Sequence, residues 1–236
     1  MKAKILIFLL AFILLVSLVF SLDEVKSLKL PAEGIRELRI DCGAGSLKVI
    51  GDPSLSAIEV TANIVAGGID EDEKADYFKD HVKLTLDKRG DTALLVSQIE
   101  EHSHLFNFRD TRIDLTVRMP HTMDLNIDDG SGSMEVENIK GDVVIEDGSG
   151  SLYVRRIIGR LEINDGSGEI EVYDVSGDVS VEDGSGSLEI TKVGGTVTVD
   201  DGSGSIAVED VDKDVVLKRT GSGGVHVTNV RGRVIR

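Results

Sequence analysis

The sequence DGSGSLYVRRIIGRLEIN occupies residues 147–164 and is one unit of an internal repeat. Its first four letters recur at one constant interval, and the five copies begin at Asp129, Asp147, Asp165, Asp183 and Asp201. A sixth copy, in which Thr220 replaces the aspartate, begins one position later than that interval predicts. A fixed period of this length is the signature of an architecture in which each repeat stacks on the next.

Aliphatic side chains return at fixed places in the repeat, counted from the aspartate as position one. Positions six and eight form one period-two pair, and positions fifteen and seventeen form another, as in two half-buried strands. Position eleven lies between them and is also aliphatic, as Ile139, Ile157, Val175, Val193, Val211 and Val230. A hairpin tip would be exposed there, whereas a coil has an inward corner. The pattern therefore favours a parallel β-helix with about 18 residues per coil over an antiparallel meander.

The turn of each coil is predicted at the Asp-Gly-Ser-Gly corner, because glycine tolerates backbone conformations that other residues avoid. The turn glycines are Gly130, Gly132, Gly148, Gly150, Gly166, Gly168, Gly184, Gly186, Gly202 and Gly204. A catalytic serine needs one special environment with a base and an oxyanion hole. Because this serine recurs in every coil, we predict a structural role for it and no catalytic residue.

Regular coils are expected over residues 111–236, beginning with a degenerate coil at 111–128. Residues 22–110 predict an irregular β region continuous with the coils, in which residues 37–50 weakly echo the repeat. Residues 70–81 predict a short inserted helix, anchored by Ala75, Tyr77 and Phe78, that would close the N-terminal end of the core.

Residues 1–21 have the pattern of a signal peptide. Lys2 and Lys4 precede a sixteen-residue apolar stretch interrupted only by Ser17, and Val19 and Ser21 suit a cleavage site before Leu22. An uncleaved N-terminal anchor is the alternative, and it would be the protein's one contact with a membrane. Either reading places the protein outside the cytoplasm, in the extracellular space, on the cell surface or in the periplasm.

Acidic side chains dominate the composition. The chain has 42 acidic and 26 basic residues and a formal net charge of −16, which argues against nucleic acid as a partner. Residues 129–211 carry 19 acidic and 5 basic side chains, whereas residues 212–236 carry 2 and 6. This contrast suggests either an end protected by charge or a basic end that docks on an acidic partner or on the acidic flank of another copy.

A cation site on the repeated aspartates is the main speculative metal prediction. In a parallel stack, Asp129, Asp147, Asp165, Asp183 and Asp201 would lie along one edge about 4.8 Å apart. Such a row is either solvated, splayed or neutralised by cations, with calcium as the candidate because it prefers oxygen ligands. The alternative is an Asx turn, in which each carboxylate accepts a backbone N–H two residues on. His102 and His104 form a weaker metal candidate, and no other cofactor is predicted.

The chain resembles the bacterial "putative adhesin" family of domains of unknown function. Three features carry the resemblance: the strand–Pro–strand segment around Pro120, the Gly-Ser-Gly coils ending in Gly-Asp-Val, and an upstream Gly-rich turn. They span roughly residues 34–236. The resemblance implies a right-handed, single-stranded β-helix at the cell envelope, and it brings no functional residues with it.

The sequence therefore predicts an exported structural or adhesion module without enzymatic activity, whose partner is an unidentified protein or glycan of the cell envelope. One alternative is a calcium-dependent protein that binds or cleaves carbohydrate. Carbohydrate grooves usually offer aromatic platforms, and the regular coils provide only Tyr153 and Tyr173. A second alternative is an envelope scaffold that assembles end to end.

Overall fold

The computed structural model describes residues 24–66, 71–100 and 111–236. The predicted signal peptide at residues 1–21 and the pair His102 and His104 lie outside the described residues. The described chain is an all-β solenoid with one short helix, which confirms the predicted fold class. This helix spans 11 residues, and the described part of the chain contains no helix that could cross a membrane.

Nineteen strands and the helix follow one another in this order: β1 Glu24–Pro31, β2 Glu37–Ala44, β3 Leu47–Asp52, β4 Ala57–Ala66, α1 Glu71–His81, β5 Val82–Arg89, β6 Thr92–Ile99, β7 Thr111–Pro120, β8 Asp124–Ile139, β9 Val143–Asp147, β10 Gly150–Ile157, β11 Leu161–Asp165, β12 Gly168–Val175, β13 Val179–Asp183, β14 Gly186–Val193, β15 Val197–Asp201, β16 Gly204–Val211, β17 Val215–Thr220, β18 Val225–Val230 and β19 Val234–Ile235.

Each regular coil contributes one strand to each of two sheets. Sheet A contains β10, β12, β14, β16 and β18, and sheet B contains β9, β11, β13, β15, β17 and β19. Equivalent residues of successive coils pair in parallel, so that Ile163 lies between Ile145 and Val181. The constant interval of the repeat is therefore the circumference of one coil. The aliphatic positions form a continuous buried core between the two sheets.

A left-handed residue at position ten explains why position eleven faces inward. Alternation from positions six and eight would turn position ten towards the core. Instead, position ten has φ between 53° and 64° in every coil, which shifts the alternation by one residue. These residues are Asn138, Arg156, Asp174, Lys192, Asp210 and Asn229. Position eleven, which the sequence placed at a corner, is consequently the last residue of the sheet A strand, and the corner follows it.

Residues 37–50 form a complete coil of their own. Strand β2 lies between β6 and β8 in sheet B, and β3 lies between β7 and β8 in sheet A. The turn Gly43-Ala-Gly45 takes the place of Gly-Ser-Gly, and Cys42 takes the place of the aspartate. In space, this coil lies between two others. One contains β6 and β7, and the other contains β8.

Antiparallel strands close the N-terminal end of the stack. Strand β1 pairs with β4, β4 pairs with β7, and β5 pairs with β6, each in antiparallel orientation. The predicted helix is present as α1 and buries Tyr77 and Phe78, but it packs beside β5. The end strands, rather than the helix alone, therefore cover the core at this end.

Glycine at position four is required by both the backbone conformation and the space between coils. Gly168 has φ of 154°, and a Cβ atom there would lie 1.7 Å from the carbonyl oxygen of Gly150. The same close approach recurs at Gly150, Gly186 and Gly204. By contrast, a Cβ atom at Gly43 would have no atom within 4 Å.

We predict that Gly168→Ala lowers the free energy of unfolding by about 3 kcal/mol or more, because the coils must separate locally to admit the methyl group. The matched control Gly43→Ala should change it by less than about 1 kcal/mol. Chemical denaturation of the full chain measures both values. Equal stability of the two variants would contradict this account of the corner.

Candidate functional site

The five aspartates at position one form a row inside the solenoid, which we call the aspartate file: Asp129, Asp147, Asp165, Asp183 and Asp201. Each is aligned with its counterpart in the next coil by the parallel pairing of sheet B. Their relative exposures are only 1–5%. The sequence predicted a row along one edge of the stack, and the structure instead places all five side chains in the interior.

Strand alternation accounts for this burial. In β11, Leu161, Ile163 and Asp165 are buried, whereas Glu162 and Asn164 are exposed. Position one is therefore the third inward position of a five-residue strand. The residue before it faces outward, so the accessible acidic row consists of Asp128, Glu146, Glu182 and Asp200, with Asn164 in the middle.

In Asp147, Asp183 and Asp201, one carboxylate oxygen holds the corner as an Asx turn, whereas both oxygens of Asp165 are buried without a partner in the described chain. The backbone N–H of Ser149 donates to Oδ1 of Asp147 at 3.2 Å, and that of Ser185 donates to Oδ1 of Asp183 at 2.9 Å. The same bond joins Ser203 to Asp201 at 3.0 Å. The Oδ2 atom of every member of the file is buried and has no hydrogen-bond partner among the described residues. Such atoms are rare in folded proteins, because a buried polar group without a partner is costly.

Neutral side chains continue the file at both ends. Cys42 is aligned with Asp129, and its thiol donates to Oδ1 of Asp129 at 3.2 Å. Beyond Cys42 lies Ser97, which is buried and whose hydroxyl also has no partner in the described chain. At the other end, Thr220 is aligned with Asp201. The charged part of the file is thus bounded by a thiol and a hydroxyl group.

Burial shifts the proton affinity of the whole file. Loss of solvent raises the pKa of Asp129, Asp165 and Asp183 to about 6, and the carboxyls of Asp147 and Asp183 add to the shift at Asp165. Burial also raises the pKa of Asp147 and Asp201. The pKa of the Cys42 thiol is raised by burial and then by Asp129, so this thiol stays protonated and unreactive.

The geometry of the file does not suit calcium. Calcium takes six to eight oxygen ligands that converge on one point. The aspartates project in parallel from successive strands, and the Asx turns already occupy several of their Oδ1 atoms. Across the described residues, no cluster of three or more His, Cys, Asp or Glu side chains is arranged to hold a metal ion.

The outer face of sheet A exposes the two tyrosines of the regular coils. Tyr153 is 37% exposed and Tyr173 is 50% exposed. They lie on neighbouring strands, and the register places Tyr153 beside Glu171 and Tyr173 beside Arg155. The Lys192 ammonium lies 5.5 Å from the centre of the Tyr173 ring. This face therefore combines aromatic surface with charges of both signs.

Ion pairs between adjacent coils are a feature that the sequence analysis missed. Arg155 donates to Glu137 at 3.0 Å, Arg160 to Asp142 at 2.7 Å, and Arg233 to Asp214 at 2.6 Å. Arg231 of the last coil pairs with Asp212 at 2.9 Å. The signal was available as opposite charges separated by one repeat along the sequence. The pairs of Arg160, Arg231 and Arg233 are exposed, so each adds little to stability, whereas Glu137 is buried.

Comparison with known proteins identifies a family. The model of the family described as Toastrack DUF4097 matches residues 54–235. No functionally curated protein matched the chain.

Several crystal structures are similar to the chain. One is a "putative cell adhesion protein" from Clostridium sporogenes, with 11% identity, a TM-score of 0.44, and coverage of 89% of this chain and 99% of that chain. Another is a "putative lipid binding protein" from Parabacteroides distasonis, with 13% identity, a TM-score of 0.44, and coverage of 91% and 97%. A third is a "putative adhesin" from Parabacteroides merdae, with 12% identity, a TM-score of 0.39, and coverage of 90% and 97%.

We predict that millimolar calcium shifts the melting temperature of the protein no more than the same concentration of magnesium does, because the file offers no convergent oxygen cage. Thermal melts of the full chain with calcium, with magnesium and with a chelator measure this. A rise of several degrees with calcium alone would show that the acidic rows bind it.

Proposed function

This chain belongs to the Toastrack DUF4097 family, and we propose that it is an exported, non-enzymatic adhesion or structural module of the cell envelope. The observation that carries the proposal is the outer face of sheet A, where Tyr153 and Tyr173 stand exposed on an otherwise polar, regular surface. The signal-like sequence of residues 1–21 supports export.

The interior of the regular coils supports a role for the outer surface. Aliphatic side chains fill each regular coil, and the aspartate file takes the remaining inward position. Contact with a partner must therefore use the outward positions. The repeated serine supports a non-enzymatic role, because its backbone N–H belongs to the same Asx turn in several coils.

Tyrosine suits a contact surface because its ring buries a large area and its hydroxyl group still forms hydrogen bonds. Tyr153 and Tyr173 lie on adjacent strands of a rigid sheet, so their positions are fixed by the backbone pairing. Glu171 and Arg155 beside them supply polar contacts of both signs. We propose that this patch binds a protein or glycan of the cell envelope.

We predict that replacing Tyr153 and Tyr173 with Ser lowers the recovery of the envelope partner at least tenfold in a pull-down with the full chain. Ile158→Ser is the matched control, because Ile158 is a similarly exposed apolar residue, at 54%, on the corner rather than on sheet A. The control should recover the partner as the parent does. Equal recovery by the tyrosine variant would remove sheet A from the proposal.

End-to-end assembly is a second candidate, favoured by the charge and surface of the last coil. Val234 and Ile235 are 45% and 40% exposed. Residues 212–236 have an excess of basic side chains, whereas the preceding coils are acidic. Electrostatic attraction would bring this coil to an acidic flank of another copy, and the exposed aliphatic side chains would then be buried.

We predict that replacing Arg231, Arg233 and Arg236 with Ser leaves a soluble fold and abolishes concentration-dependent assembly of the full chain. Arg160→Ser is the control, because Arg160 pairs with Asp142 as Arg233 pairs with Asp214, but on a central coil. Sedimentation measures the assembly. A parent protein that is monomeric at all concentrations would end this candidate.

A further inference from the structure

We propose that the aspartate file is a pH-sensitive element inside the solenoid, which makes the fold more stable in mildly acidic than in neutral or alkaline conditions. This inference concerns the interior and is independent of the proposed adhesion function. It rests on where the five carboxyl groups lie and on what surrounds them.

The aspartate file is shielded from solvent. All five aspartates are at least 95% buried, and the Oδ2 atom of each has no hydrogen-bond partner among the described residues. A charged carboxylate loses its hydration on burial, whereas the protonated form loses much less. The environment of the file therefore favours the neutral carboxylic acid.

The aspartates of the file lie next to one another in successive coils. Parallel pairing aligns each aspartate with the next, at a strand spacing of about 4.8 Å. Asp147, Asp165 and Asp183 each have an acid on both sides. Ionisation of one member therefore makes ionisation of its neighbours harder, so the file titrates as a coupled unit.

Little positive charge compensates the carboxyl groups of the file. At one end of the file, Arg219 pairs with Asp200 and counteracts the rise in the pKa of Asp201. At the other end, Asp41 and Asp128 lie on the outer side of the sheet and raise the pKa of the Cys42 thiol through their negative charge. Glu146 and Glu182 flank the middle of the file from outside the sheet. Among the residues whose exposure the structure describes, no lysine, arginine or histidine is buried.

The direction of the effect follows from proton linkage. The pKa of Asp129, Asp165 and Asp183 is about 6 in the folded protein, whereas an unfolded aspartate has a pKa of about 4. Between these values the folded state holds more protons than the unfolded state. The stabilisation is complete below about pH 4 and is lost as the pH rises through about 6.

Exposed aspartates act in the opposite direction and in a different pH range. Arginine partners lower the pKa of Asp91, Asp142 and Asp214 below the ordinary value. Their contribution to stability is present at pH values above the ordinary pKa of aspartate, and it is lost as the pH falls through the lowered pKa. A loss of stability between pH 4 and 6 can therefore be assigned to the buried file.

The decisive experiment compares two triple variants of the full chain, kept soluble with a mild nonionic detergent. In the first, Asp147, Asp165 and Asp183 are replaced by Asn, which keeps the shape of each side chain and can keep the Asx turns at Asp147 and Asp183, but cannot ionise. In the control, the exposed Glu146, Glu162 and Glu182 are replaced by Gln, which removes the same formal charge from the outer surface of the same strands.

Chemical denaturation from pH 4 to pH 8 gives the unfolding equilibrium constant of each protein. In the parent, its logarithm should rise with pH between 4 and 6 and then level off. In the asparagine variant, the slope of this logarithm against pH should be smaller by up to about three, one for each carboxyl group that can no longer bind a proton. The control should keep the parent slope. An asparagine variant with the parent slope would overturn the proposal.

A second measurement covers the case in which the asparagine variant does not fold. Carboxyl ¹³C resonances of the aspartates in the parent protein report each protonation directly. We expect a group of aspartate signals with midpoints near pH 6, separate from those of the exposed aspartates. Midpoints at or below pH 4 for every aspartate would overturn the proposal.

Discussion

Parallel backbone hydrogen bonding between equivalent residues of successive coils is the constraint on which the rest of the structure depends. Because Ile163 must pair with Ile145 and Val181, every inward position repeats once per coil. The same pairing brings glycine against glycine at the corner, where Gly168 approaches Gly150 too closely for a side chain. Hydrophobic burial then selects aliphatic residues for the inward positions and leaves the outward positions free to vary.

The aspartate file is the exception to an aliphatic interior, and the Asx turns at Asp147, Asp183 and Asp201 give it a local structural role. An inward residue at position one can hold the following Ser-Gly turn only if its side chain accepts a backbone N–H. Asp183 does so with one oxygen, while its other oxygen has no partner in the described chain. The corner gains a defined geometry, and the interior gains a titratable group.

The fold could be predicted from the sequence because its period is explicit, and the structure confirms the parallel solenoid. The helix was predictable from a charged segment with Tyr77 and Phe78 as its apolar anchors. The antiparallel closure by β1 and β5 could not be predicted, since pairing between distant strands leaves no local pattern. Nor did the repeat reveal that β2 and β3 insert between β8 and the β6–β7 coil.

The inward direction of the aspartates was harder to predict, although the information was present. Positions fifteen and seventeen are inward, so alternation continues to position one unless the chain bends first. However, an aspartate beside glycine usually indicates an exposed turn, so the sequence predicted that these aspartates lie at an edge. The left-handed conformation at position ten also left a signal, because Asn and Asp, the non-glycine residues that adopt it most readily, occupy four of the six copies. Arg156 and Lys192 interrupt that signal.

The last regular step of the stack shows how the fold tolerates changes in length. The repeat that begins at Asp201 is one residue longer than the others. The extra residue forms a bulge in β17, because Val199 of β15 pairs with Leu217 whereas the next residue, Asp200, pairs with Arg219. Beyond this bulge, Asp201 pairs with Thr220 and the next sheet A strand regains its alignment. Duplication of a whole repeat would need no such repair, because it would add one layer of about 4.8 Å with every contact already satisfied. Rod length can thus change during evolution in whole layers, without redesign of the core.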